Sequence, residues 1–116
     1  MTRAEREQAD AAEALQQVGQ RRRAVLAELD QITPQVREAV LRALTAGITV
    51  RRAAVLAEVS PETVSQWRRE RGGEMLRDGV DPAQVAQRLR VRLATAERWA
   101  TQATDERQEQ KEVSDT

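Results

Sequence analysis

The sequence predicts an all-α protein in which a long N-terminal helix is followed by two tandem helix-turn-helix units. Residues that favour helices dominate, and Val, Ile and Thr never alternate with polar residues over the length of a strand. A second observation is an internal repeat: GITVRRAAVLAEVSPETVSQW begins at Gly47, and GVDPAQVAQRLRVRLATAERW begins at Gly79. The two segments align without a gap, and each ends on one of the two tryptophans of the chain.

The repeat and the positions of Gly and Pro divide the chain into four predicted segments. They are an amphipathic helix at 1–32, a first helix-turn-helix unit at 33–72, a second and degenerate unit at 73–103, and an acidic, disordered tail at 104–116.

The composition excludes most kinds of catalytic site. The 116 residues include no Cys and no His, which rules out zinc sites, disulfides, thiol catalysis and any Ser-His pair. A carboxylate pair is the only common catalytic device left, and the carboxylates of this chain lie in solvated, helix-like charge patterns. We therefore expect no enzyme activity, no metal, no cofactor and no small-molecule substrate. No apolar run reaches the roughly 18 residues of a membrane helix, and MTRAEREQAD lacks the apolar core of a signal peptide. The sequence predicts a cytoplasmic protein without membrane contact, and eighteen Arg against one Lys indicate a GC-rich bacterial genome.

The zero net charge conceals a basic centre between acidic ends. Residues 31–72 contain seven basic and four acidic side chains, and residues 73–101 contain five and four. Residues 1–30 contain five and six, and residues 102–116 contain two and five. A module that binds a polyanion between acidic flanks has this distribution, although so small a surplus also occurs on neutral surfaces.

The first helix is expected from about Arg3 to Asp30. Apolar residues recur along it at spacings of three and four, and Arg22 interrupts their seam. The apolar positions are Leu15, Val18, Val25, Leu29 and Ile32. The pattern predicts either a short coiled coil, which would make the protein a homodimer, or a helix that lies on the rest of the fold.

Each of the three helices predicted for the first unit begins at a residue that can cap it. The predicted caps are Thr33, Thr49 and Ser60, and Pro34 and Pro61 occupy the first turns after two of them. Gly47 ends the first of these helices, and the second runs to about Ala57. Only residues 58–60 then separate the second helix from the third, which is the spacing of a helix-turn-helix.

Small and apolar residues predict a core shared by these helices. They are Ala53, Ala54 and Ala57 on the second helix, Val59 in the turn, and Val64 and Trp67 on the third. We interpret Trp67 as a core residue that packs the third helix against the first. The second unit keeps apolar residues at the equivalent positions, namely Val85, Ala86, Leu89, Val91, Ala96 and Trp99.

The second unit is short of one helix. Asp81 and Pro82 predict the start of its second helix, but only about Glu74–Asp78 remains for its first. It must therefore borrow apolar cover from the third helix of the first unit, from the N-terminal helix or from another subunit. Met75 and Leu76 are expected to meet that cover.

The segments AGITVRRAAVLAEVSPETVSQW and DGVDPAQVAQRLRVRLATAERW resemble the helix-turn-helix modules of the homeodomain-like superfamily, which occur in resolvases, transposases and small phage or plasmid regulators. The resemblance implies that residues 61–71 form a recognition helix in the major groove of double-stranded DNA. Family members usually have Gly in the turn, where this chain has Glu58 and Arg90. A left-handed backbone costs such residues on the order of 1 kcal/mol, which a fold tolerates.

The resemblance also implies which residues contact DNA. Those at the third helix of the first unit are Ser60, Glu62, Thr63, Ser65, Gln66, Arg68 and Arg69. Arg51 and Arg52 suit the phosphate backbone that the second helix crosses. Arg90, Arg92 and Arg98 are expected to contact phosphates from the second unit. Gln binds adenine through two hydrogen bonds, and Glu accepts a hydrogen bond from cytosine.

These residues predict a sequence-specific DNA-binding protein, a small transcriptional regulator of bacterial, phage or plasmid origin. Two other functions remain open from the sequence. One is a DNA-binding subunit for phage packaging or plasmid partition, and the other is an adaptor whose repeated modules bind protein. DNA binding requires positive potential from both copies on one face, whereas an adaptor requires an exposed apolar patch beside the second copy.

Overall fold

The computed structural model describes the backbone of residues 2–114 and the side chains of residues 2–109. The described chain is helical and contains no strand, which confirms the predicted all-α class with a long first helix. Its helices are α1 (Arg3–Thr45), α2 (Val50–Ala57), α3 (Pro61–Arg77), α4 (Pro82–Leu89) and α5 (Leu93–Ser114). Within this described part, every helix is too short or too polar to cross a bilayer. The chain divides between Gln35 and Val36 into two compact units.

Helix α1 does not end before Thr33 and Pro34, so the prediction that a new helix starts there is wrong. The Thr33 hydroxyl donates to the carbonyl oxygen of Leu29 at 2.8 Å, a bond within the helix rather than a cap. A proline in a helix interior costs about 3 kcal/mol because it removes one backbone hydrogen bond. Beyond Pro34, the packing of Val40, Leu41 and Leu44 in a hydrophobic core supports the helix against this cost. One helix therefore spans the segments predicted to be separate.

The caps predicted for α2 and α3 are confirmed. Thr49 Oγ1 accepts a hydrogen bond from the backbone N–H of Arg52 at 3.2 Å. Ser60 Oγ accepts from the backbone N–H of Thr63 at 3.1 Å, and a proline follows it in the first turn of α3. Glu58 ends α2 in the left-handed region with a φ of 57°. The turn between the two helices therefore has the geometry that the sequence predicted.

Helix α3 continues past Gly72 and Gly73 to Arg77, so the predicted end of the recognition helix at residue 71 is wrong. Gly72 is buried against the indole of Trp99. A Cβ on Gly72 would lie 2.5 Å from Cε3 and from Cζ3 of that ring. This glycine therefore permits a close crossing of α3 and α5 and does not end a helix.

The backbone of the helical hairpin α2–α3 is repeated by α4–α5. Glu58 and Arg90 end α2 and α4 in the left-handed region, with φ values of 57° and 55°. The next residue in each turn, Val59 or Val91, donates a hydrogen bond back to the preceding helix at 3.0 Å. Because α3 is continuous, it is both the last helix of the first copy and the first helix of the second. This sharing supplies the cover that the second unit was predicted to borrow.

Each copy has its own hydrophobic core. The first core contains Val40, Leu41 and Leu44 of α1, Ala53 and Ala54 of α2, and Val64 of α3. The second contains Val85, Ala86 and Leu89 of α4 and Ala96 of α5, and Met75 and Leu76 of α3 pack against it. Trp67 and Trp99 pack at equivalent edges of the two cores and are half-buried. The tryptophans are therefore core residues, as predicted, but each keeps part of its ring exposed.

Helix α5 extends through the segment for which the sequence predicted disorder. Ala103 is buried, and Glu106 forms an ion pair with Arg77 of α3 at 3.5 Å. Arg107 donates a hydrogen bond to the carbonyl oxygen of Arg77. These contacts hold the helix against α3, so the structure differs from the prediction over residues 104–109. Of the remaining predicted tail, the backbone is helical to Ser114, and residues 115–116 lie outside the described residues.

Candidate nucleic-acid interface

Helix α3 carries an exposed stripe of polar side chains, which we call the recognition face: Glu62, Ser65, Gln66 and Arg69. These residues follow one another at spacings of three, one and three, so they lie along one side of the helix. Val64, on the opposite side, is fully buried in the first core. The fold therefore brings four of the predicted DNA-binding residues together on one surface.

Hydrogen bonds leave the recognition face with usable donors and acceptors. Gln66 Nε2 donates to Glu70 Oε1 at 3.0 Å. The amide keeps one further N–H and its Oε1, which is the donor and acceptor pair that adenine requires. The hydroxyls of Ser60 and Thr63 lie 2.8 Å apart, and Ser60 also caps α3. The hydroxyls of these two residues are therefore engaged in stabilising the N-terminal end of α3.

Arg68 lies beside the recognition face and is half-buried. Its burial removes water from the charged guanidinium and so lowers the pKa of Arg68 below its ordinary value. Among the residues with described side chains, no carboxylate lies within ion-pair distance of Arg68. A partly desolvated cation without a counter-charge attracts an anion more strongly than a fully hydrated one. The environment of Arg68 therefore favours a phosphate beside α3.

Arg51 and Arg52 are exposed in the first turn of α2. The N-terminal end of a helix carries a partial positive charge, which adds to that of two nearby guanidinium groups. The equivalent positions in α4 are Ala83 and Gln84. The first copy therefore has a basic α2 end that the second copy lacks.

The second copy keeps an exposed stripe on α5 but changes its chemistry. The residues equivalent to the recognition face are Ala94, Glu97, Arg98 and Thr101. Arg98 stands in the place of Gln66, and Arg in such a position binds guanine through two hydrogen bonds. In the structure Arg98 donates to Thr95 Oγ1 at 3.5 Å. Arg98 is the side chain of this stripe with the most hydrogen-bond donors.

Arg90 has a structural role that the sequence did not predict. Its Nε donates to the backbone carbonyl oxygen of Thr45 at 3.1 Å. This bond satisfies one of the carbonyls left free at the C-terminal end of α1, where a cation is also favoured by the helix dipole. A phosphate contact by Arg90 would compete with this bond. Arg92 is exposed directly before α5, in the place where Ser60 caps α3.

Arg69 of the first copy and Arg98 of the second line one groove between α3 and α5, with a volume of about 570 Å³. Trp99 and Gln102 form part of its lining, and Asp105 and Glu106 complete it. The two carboxylates offset the two guanidinium groups, so the groove as a whole does not favour a phosphate. The basic residues of the two copies therefore meet, but in a mixed electrostatic environment.

Arg42 of α1 and Arg88 of α4, two basic residues absent from the predicted DNA-binding set, line a separate hollow. Its volume is about 410 Å³, and Arg71 and Glu38 also line it. Arg71 forms ion pairs with Glu38 and, at 3.5 Å, with Glu74. Arg42 and Arg88 are far apart in the chain and occupy unrelated positions of the repeat, so no pattern in the sequence could pair them.

Comparison of the chain with family models, curated proteins and solved structures found no match.

Proposed function

We propose that the protein binds duplex DNA sequence-specifically, as a small transcriptional regulator in the cytoplasm of a bacterium or on phage or plasmid DNA. The observation that carries this proposal is the recognition face: four exposed polar residues on a capped helix that follows a tight turn. A helix of this kind fits the major groove, which admits one α-helix and presents donors and acceptors along the base edges.

DNA-binding proteins use some residues to contact base edges and others to contact phosphates, and the first copy has candidates for both. Gln66, Glu62 and Arg69 carry groups that distinguish base edges. Arg51 and Arg52 at the start of α2, and Arg68 on α3, have the charge that phosphates require. The first copy therefore has both kinds of contact, whereas the second has one strong candidate, Arg98. We assign base recognition to α3.

Selection from random duplex DNA tests the proposal directly. We expect the wild-type protein to recover a sequence motif, and Gln66→Ala to lose about 1–3 kcal/mol of binding free energy on that motif and to relax preference at one base pair. Arg68→Ala should weaken binding to specific and scrambled duplexes alike. It should also make the salt dependence shallower, because each lost phosphate contact releases about one fewer counterion.

A matched control removes charge away from the recognition face. The double variant Arg42→Ala with Arg88→Ala deletes two guanidinium groups from the hollow between α1 and α4. It should keep the base preference of the wild-type protein. Recovery of no motif, or equal and salt-insensitive binding by Gln66→Ala, Arg68→Ala and wild type, would contradict DNA binding.

A second candidate function, an adaptor that binds protein, is favoured by one apolar hollow. Its volume is about 350 Å³, and it lies between α1 and α2, in the first copy, whereas the sequence predicted such a patch beside the second copy for an adaptor. Its lining consists of Val36, Ala39, Val40, Ala43, Ala53, Leu56 and Ala57. Leu56 of this lining is 65% exposed, and its neighbour Val55 is 72% exposed. Leu56→Ser leaves the recognition face intact, so DNA binding should survive in this variant, whereas a protein partner seated in the hollow should be lost.

A further inference from the structure

The N-terminal half of α1 exposes a continuous apolar stripe. Leu15, Val18, Val25, Leu29 and Ile32 are between 50% and 75% exposed. All residues from Thr2 to Ile32 are exposed in the single chain. The stripe follows the heptad pattern of a coiled coil, in which positions a and d form the contact with a partner helix. Leu15, Arg22 and Leu29 occupy a, and Val18, Val25 and Ile32 occupy d.

We propose that a second copy of this chain covers the stripe and that the two helices run antiparallel. The proposal is independent of DNA binding, because it concerns residues 11–32 only. Two features of the sequence in this segment distinguish antiparallel from parallel pairing: the charges that flank the seam, and one glycine inside the helix.

Parallel pairing is unfavourable because it stacks identical residues. It places Arg22 against Arg22 of the second copy, two like charges in the centre of the contact. In parallel pairs, flanking position g faces position e of the partner. Arg21 would then face Leu26, and Glu28 would face Thr33. A parallel pair therefore has one charge conflict and no compensating ion pair from these positions.

Antiparallel pairing removes the conflict. With the centre between Arg22 and Val25, each a residue faces a d residue of the second copy. Leu15 then meets Ile32, and Val18 meets Leu29. Arg22 meets Val25 and can extend its charged end to solvent. Flanking g positions face one another in this arrangement, so Arg21 pairs with Glu28 of the second copy, twice in the symmetric dimer.

Gly19 fits the same register. A glycine within a helix weakens it, so its presence calls for a packing reason. Position e of one helix faces position e of the other in an antiparallel pair, which sets Gly19 opposite Leu26 of the second copy. Leu26 is 40% exposed, and a Cβ on Gly19 would have no atom within 4 Å in the single chain. The missing side chain at Gly19 leaves room for Leu26.

Disulfide formation tests the direction, since the chain contains no cysteine. Leu15→Cys and Ile32→Cys proteins are mixed and oxidised. We expect the mixed disulfide between them to form at least tenfold faster than either homodisulfide, because only the antiparallel register brings these two positions within bonding distance. Gln20→Cys, on the opposite side of the helix, is the control and should not cross-link. A predominant Leu15→Cys homodisulfide would overturn the proposal in favour of parallel pairing.

Charge reversal tests the register without cross-linking. Arg21→Glu alone and Glu28→Arg alone each create two like-charge pairs, and each should raise the dimer dissociation constant about tenfold in sedimentation equilibrium. An equimolar mixture of the two variants restores both ion pairs in a heterodimer and should return the constant to the wild-type value. Circular dichroism verifies that the variants stay helical. A wild-type chain that remains monomeric at high micromolar concentration, or single variants that dimerise like wild type, would overturn the proposal.

Discussion

Gly72 and Gly73 stand side by side in α3 and have opposite surroundings. Gly72 is buried, and the ring of Trp99 occupies the space that a side chain would need. At Gly73 a Cβ would lie 3.4 Å from a guanidinium nitrogen of Arg77, the movable end of a flexible side chain. One glycine is therefore required by packing, and the other only lowers the stability of its helix.

This difference predicts opposite effects of the same substitution. Gly72→Ala should lower the free energy of unfolding by about 1–3 kcal/mol, because Trp99 must move from its place beside the second core. Gly73→Ala should raise it by about 0.5–1 kcal/mol, since Ala favours a helix more than Gly. Urea unfolding followed by tryptophan fluorescence measures both. Equal effects in the two variants would mean that α3 and α5 do not cross closely at Gly72.

At the scale of the element, Pro34 lies inside α1 and Pro61 lies in the first turn of α3. A proline in the first turn removes no hydrogen bond, because the N–H groups there have no partner within the helix. A proline further along removes one. Pro61 therefore costs α3 no hydrogen bond, whereas Pro34 costs α1 one.

Replacing each proline by alanine should therefore change the stability of the protein by different amounts. Pro34→Ala should stabilise α1 by up to about 3 kcal/mol, seen as a higher temperature for loss of the helical circular dichroism signal. Pro61→Ala should give no comparable gain. An unchanged melting curve for Pro34→Ala would indicate that the helix is interrupted at this residue in solution.

The end of α5 gives a second prediction for an element. Truncation after Gln102 removes the buried Ala103 and the contacts of Glu106 and Arg107 with α3. We expect a loss of about 1–2 kcal/mol in the free energy of unfolding, because exposed ion pairs contribute little and most of the loss comes from buried area. Truncation after Glu109 keeps these contacts and should leave the melting temperature unchanged. Equal stability of the two truncated chains would show that the contacts with α3 contribute nothing.

At the scale of the whole molecule, the shared helix α3 links the two cores. Val64 is fully buried in the first core, while Met75 and Leu76 of the same helix pack against the second. Disturbing α3 in one core should therefore weaken the other, because the helix cannot unfold in one copy and remain fully supported in the second.

The two tryptophans allow this coupling to be measured. In a Trp67→Phe background, Trp99 alone reports on the second core. Val64→Ala should destabilise the first core by about 2 kcal/mol, because it removes buried apolar area and leaves a cavity. Added to this background, it should lower the unfolding midpoint that the fluorescence of Trp99 reports. The converse design uses Trp99→Phe with Val85→Ala, with Val85 also fully buried. A Trp99 midpoint insensitive to Val64→Ala would mean that the two copies unfold independently.

Part of the candidate interface could be predicted because it depends on neighbours in the sequence. The spacing of Glu62, Ser65, Gln66 and Arg69 places them on one side of any helix that contains them. The hollow at Arg42 and Arg88 could not be predicted in this way. It is lined by residues of α1, α3 and α4, and the packing of helices is set by the shapes of side chains from distant segments.

The sequence by itself determined the helical class, the two copies of the turn and the caps at Thr49 and Ser60, because each depends on residues within a few positions of one another. Only the tertiary structure decided that α3 passes through Gly72, that Arg90 bonds to Thr45 and that α5 packs on α3 beyond Gln102. These features join residues 27 to 45 positions apart in the chain. Local preference cannot specify such contacts, because their free energy is gained only when whole helices pack together.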